Sequence, residues 1–182
     1  MLSAFVGPLA WTVGDGTANT NTTTETSLLI GAGGASGKWA MPGNFFVATG
    51  QMLRVTATMR LTTTTATNNS TFKLKIGAVA IATSPTFVNL ASQTNLTLQL
   101  IWYLTLRATG DGTTANFMHV GNLIGANVSA TNQNNPIPAT APAVGTGFDA
   151  STAATFDFTH TWSAASASNS ITCHQYLLES MV

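Results

Sequence analysis

LTLQLIWYLTLRA, residues 96–108, decides how the rest of the chain is read. Leu96, Leu98, Leu100, Trp102, Leu104, Leu106 and Ala108 fall on every second position, with Thr97, Gln99, Tyr103, Thr105 and Arg107 between them and only Ile101 out of step. A period of two gathers the large apolar groups on one side of an extended strand, whereas a helix would spread them around its circumference. At roughly 3.3 Å per residue the segment extends about 40 Å, long enough to bend, carry a bulge or cross a large sheet. Burial of each Leu or Trp is worth roughly 1.5 to 3 kcal/mol before chain entropy is charged against it, and no other stretch offers as many.

The same alternation recurs on both sides. Leu53, Val55, Ala57, Met59 and Leu61 share one face of Gln51 to Leu61, with Arg54, Thr56, Thr58 and Arg60 opposite. Phe72, Leu74 and Ile76 alternate with Lys73 and Lys75, and the small-residue run after Gly77 predicts another strand after a kink. Thr113 to Leu123 is a weaker strand. Phe156, Phe158, His160 and Trp162 alternate with Thr155, Asp157, Thr159 and Thr161, and Ile171 to Glu179 closes the chain. The spacing predicts about eight strands joined by Gly- and Thr-rich loops. The segment 125–147, with Pro136, Pro138 and Pro142, reads as a long surface excursion because proline removes the donors a sheet needs.

The chain has 182 residues, which fits one domain able to bury a core without staples. Charged residues make up 7% of it, against roughly 25% in an average soluble protein. Thr, Asn, Ser and Gln must therefore supply the polar surface, and with so few Glu, Lys and Arg, propensity alone favours an all-β chain. The expected fold is a single-domain, jelly-roll-like antiparallel β-sandwich over 24–182, preceded by an extended N-terminal arm over 1–23. In that arm Leu2, Phe5, Val6, Leu9 and Trp11 form a hydrophobic set, separated from the body by the Gly14-Asp15-Gly16 turn and a polar spacer. Such an arm either folds back or docks on another subunit.

Composition also narrows function. Six Lys plus Arg balance six Asp plus Glu, and the basic residues are scattered, so the clustered cations of a nucleic-acid binder are missing. No window reaches the roughly 18 apolar residues of a membrane helix. A surface with almost no charge suits a protein packed against neighbours. The glycine run before Lys38 lacks the Gly-Lys-Ser/Thr ending of a nucleotide loop. No cofactor or metal motif is present.

Catalysis finds no constellation. His160 and Asp157 lie three apart in a strand and point to opposite faces, and adjacent Cys173 and His174 diverge for the same reason. His160 reads as a core or rim histidine, and Cys173 as a small buried hydrophobe. Asp15 and Asp111 occupy turns, while Glu25 and Asp149 read as loop caps. Among the aromatic side chains, Trp39 beside the glycine run is the leading candidate for stacking on a sugar, with Trp11 and Tyr103 as further ones.

The ordered segments GQMLRVTATMRL, FKLKIGAVAIAT, WYLTLRATGDGTTANF and TFDFTHTWSAASASNSITCHQYLLE resemble a group of β-sandwich structural proteins of tailed-bacteriophage particles. The resemblance covers Thr24 to Glu179 apart from the proline-rich excursion. It departs from the group at Met59-Arg60, where a glycine is usual. Its motifs are strand and turn signatures, so it transfers no catalytic residue. It implies a non-enzymatic virion protein: a homotrimeric decoration protein on the capsid exterior, in contact with the major capsid protein or another virion protein. The alternative is a minor tail or receptor-binding protein recognising host-surface carbohydrate.

Overall fold

A computed structural model describes residues 7–29, 37–125, 134–142 and 144–181, and the regular structure there is entirely β. In chain order the strands are β1 (Gly7–Trp11), β2 (Asn19–Thr20), β3 (Thr26–Ser27), β4 (Trp39–Met41), β5 (Met52–Thr62), β6 (Asn68–Ile76) and β7 (Val79–Thr83). They continue as β8 (Phe87–Asn89), β9 (Leu96–Ala108), β10 (Asn116–Gly125), β11 (Asn134–Ile137), β12 (Ala154–Trp162) and β13 (Ser170–Ser180). The long strands are those the alternation predicts. The others are short pieces of two to five residues; β3 lies within the strand expected over Thr26 to Ile30 and β4 within the short piece expected over Lys38 to Met41, while the rest are too brief to show a period.

Two antiparallel sheets make a sandwich. One is seven-stranded, ordered β1-β13-β5-β9-β10-β11 with β2 also on β13; the other is six-stranded, ordered β3-β12-β6-β7 with β4 on β12 and β8 on β6. Consecutive β5 and β6 lie beside β13 and β12 respectively, so the two pairs cross from one sheet to the other together, which is jelly-roll-like wrapping. Between the sheets lie Trp102, Trp162, Phe72, Phe117, Phe148, Phe156 and Phe158, all fully buried. Phe117 stacks on Phe148 at 5.2 Å between centroids, and Phe72 on Phe158 at 5.8 Å.

β9 runs its full predicted length, flanked by β5 and β10. Its Ile101, out of step in the alternation, turns away from the core. Near its end β9 carries an irregularity, where Arg107 is an extra residue between Leu106, opposite Phe117, and Ala108, opposite Asn116; a second lies in β13 between Cys173 and Gln175. The proline-rich segment differs from the loop expectation, because Asn134–Ile137 pairs with β10 as the last strand of its sheet. An edge position tolerates Pro136, since one side of the strand needs no donors. Of the hydrophobic set at the amino terminus, Leu2, Phe5 and Val6 lie outside the described residues. Leu9 and Trp11 belong to β1, which pairs with β13 of the same chain through Ala10↔Leu178 and Trp11↔Leu177.

Candidate functional site

The histidines, the cysteine and every acid except the turn residue Asp111 are occupied structurally. His160 faces the core and is fully buried. Asn19 Nδ2 donates to its Nδ1 at 3.0 Å and to its backbone carbonyl at 3.1 Å, which leaves the ring proton on Nε2, 2.9 Å from Ser70 Oγ. Trp162 Nε1 donates to the Asn19 carbonyl, and Asn89 Nδ2 to Ser70 Oγ and Asn68 Oδ1. Burial pushes the His160 imidazole down to about 3. His119, also lowered by burial, accepts from Trp102 Nε1 at 3.2 Å.

Asp157 points the other way, where Ser27 Oγ donates to it at 2.7 Å and Lys38 pairs with it at 2.8 Å. Glu25 does more than cap a loop. Although partial burial works against it, Lys73 and Lys75 at 2.6 and 2.7 Å hold its carboxyl at about 2, and Thr159 donates to the same group. Asp149 accepts from Ser151 N, Ser151 Oγ and Thr152 Oγ1, the local loop cap expected of it. Among the described residues no three His, Cys, Asp or Glu side chains converge on a metal-sized site.

What remains is the outer face of the seven-stranded sheet. A shallow groove of about 400 Å³ crosses β13, β5 and β9, lined by Thr56, Thr58, Gln99, Ile101, Gln175 and Leu177. Between these stand Ala57, Leu100 and Tyr176, whose own side chains are buried. An adjoining hollow of about 430 Å³ shares Thr58 and Gln175 and adds Arg60, Thr97 and His174. The lining follows from period two: once the apolar half of each strand enters the core, the Thr and Gln half must line the outside.

Aromatic groups flank this groove. The register Trp11↔Leu177↔Thr56↔Ile101 puts Trp11 in the same cross-strand row, on the outer face of β1, 55% exposed. The row Glu179↔Arg54↔Tyr103 follows. In it Arg54 is ion-paired with Glu179 at 2.6 Å, which raises the Arg54 pKa, with Tyr103 opposite it on β9. Trp39 stands elsewhere, on β4 of the six-stranded sheet, half-buried with its ring edge-on to Phe45 at 4.6 Å.

Val120 and Ile124, the exposed positions of β10, continue the outer face beyond β9, and Val144 bridges to Met118 beside them. Which residues point outward was readable from alternation. That β13, β5 and β9 are neighbours was not, because strand order has no local sequence signal.

No protein-family model matches this chain, and no curated protein matches it. Among solved structures it is similar to the CBM2 module of the evolved Dit of Lactobacillus casei BL23 phage J-1, at a TM-score of 0.36 and 10% identity, covering 80% of this chain and 69% of that one.

Proposed function

We propose that this protein is a non-enzymatic β-sandwich component of a bacteriophage particle that recognises host-surface carbohydrate on the outer face of its seven-stranded sheet. The observation that carries the reading is the groove: hydroxyl and amide side chains on three adjacent strands, bordered by an exposed Trp11 and by Tyr103. Sugars present apolar C–H faces that stack on aromatic rings and hydroxyl edges that pair with neutral donors and acceptors. Both kinds of partner lie in successive cross-strand rows here. The virion setting is supported by the sequence motifs, which fall on β5, β6, β7, β9, β12 and β13, the strands that build the sandwich.

Glycan-array binding by the full chain tests this. Trp11→Ala is expected to lower binding about tenfold or more while leaving thermal stability nearly unchanged, because the side chain is exposed. Retention of full affinity in that variant, or no glycan bound at all, would sink the reading.

A second reading, a homotrimeric decoration protein on the capsid exterior, is favoured by the apolar strip of Val120, Ile124 and Val144 on a chain with only 7% charged residues. Copy number in purified particles, by quantitative mass spectrometry against the major capsid protein, separates the two. Hundreds of copies favour decoration, and a handful favours a tail or vertex location.

A further inference from the structure

The six basic side chains divide between the two sheets. Lys38, Lys73 and Lys75 stand with the six-stranded sheet, and each is paired with Asp157 or Glu25. Arg54, Arg60 and Arg107 alternate with core residues on β5 and β9 and therefore project from the outer face of the seven-stranded sheet. Arg54 is taken by Glu179. Arg60 and Arg107 are exposed, and among the described residues neither forms an ion pair.

Of those two, Arg60 borders the groove. It lines the adjoining hollow with Thr58, Thr97, His174 and Gln175. The carboxylate of Asp15, the acid on the far side of His174, is engaged by His174 Nδ1 at 2.7 Å. A guanidinium offers five donors in a planar fork that matches a carboxylate or phosphate. Standing unpaired at one end of an otherwise neutral groove, it selects for a ligand that is uncharged along most of its length and anionic at one point.

We infer that the glycan taken by this groove is acidic, its carboxylate or phosphate received by Arg60 and its hydroxyls by Thr58, Gln99 and Gln175. The inference rests on reading this face as glycan-binding. Charge-assisted hydrogen bonds from Arg60 add affinity beyond stacking, and in so open a groove salt weakens them.

The test uses the full chain and three immobilised probes: a neutral glucose oligosaccharide, a glucuronate-containing oligosaccharide and a glycerol-phosphate oligomer. At least one acidic probe is expected to bind more tightly than the neutral one and to weaken as salt rises, the two acidic arms separating carboxylate from phosphate. Arg60→Gln is expected to lower that binding by about tenfold or more, and Lys73→Gln, on the opposite face, to leave it unchanged. Equal losses in both variants would mean diffuse charge attraction and overturn the Arg60 assignment. Failure to bind either acidic probe would overturn it too. If the neutral probe still binds and Trp11→Ala abolishes that binding, the glycan reading survives while its acidic form does not.

Discussion

His160 shows how a single residue couples this fold to pH. Its ring is fully enclosed with both nitrogens engaged, and burial holds its pKa at about 3 against an ordinary 6.5. The unfolded chain therefore binds a proton that the folded chain refuses. Stability from this source is complete above pH 6.5 and declines as pH falls from there toward 3. His119 is shifted the same way by burial and adds to the slope. The acid cluster enters lower, since Glu25 at about 2 gives up its contribution only below its ordinary 4.5. Between pH 6.5 and 5 the histidines alone should set the trend. Denaturant midpoints are expected to fall across that interval, and His160→Gln to flatten the fall while costing about 1 to 3 kcal/mol at pH 7.5 through its disturbed partners. An unchanged slope in the variant would assign the proton elsewhere. From sequence, the divergence of Asp157 and His160 was readable because strand parity is local. The partner Asn19 was not, since it lies 141 residues away.

At the scale of elements, β9 and β10 display what alternation can and cannot reveal. Leu96 to Ala108 announces itself because seven apolar positions repeat at a period of two, and Leu98, Leu100, Trp102, Leu104 and Leu106 among them are buried. β2 and β11 do not, because two to four residues held by non-local pairing carry no period, and Pro136 argues against a strand until the edge position is known. The β9/β10 pair also depends on a feature invisible to hydropathy. Gly121 sits opposite Trp102, and a Cβ there would stand 2.3 Å from the Ile101 carbonyl oxygen and 2.9 Å from Trp102 Cα. Those are backbone atoms that cannot swing aside. Gly121→Ala is expected to destabilise the protein by about 1 to 3 kcal/mol by overpacking, read as a lower urea midpoint at constant m-value. Gly14→Ala, where the new methyl meets nothing within 4 Å, is the control and should leave the midpoint in place. Comparable losses at both positions would show that backbone freedom, and not the close approach to β9, is what Gly121 provides.

For the molecule as a whole, cohesion comes from pairing between distant segments. β13, the last strand, lies between β1 and β5, so opening it detaches the first strand and uncovers one wall of the core. Cys173, the single cysteine, lies in β13 at the irregularity beside Gln175, fully buried, with Sγ donating to the Gln175 carbonyl at 3.3 Å. Burial pushes its thiol up to about 12, so the folded protein holds essentially no thiolate at neutral pH. Alkylation therefore needs exposure first, and exposure requires β13 to separate from its neighbours. Iodoacetamide at pH 8 is expected to modify the native chain very slowly, and the rate should rise with denaturant in parallel with loss of the β-sheet circular dichroism signal. If the sandwich opens only as a unit, the free energy obtained from the labelling rate equals that of global unfolding. Fast modification of a chain with intact sheet signal would instead show that the bulge at residues 173–175 opens by itself. The floor of the groove would then be mobile where Gln175 lines it, and affinity for any ligand bound there would have to include the cost of ordering that segment.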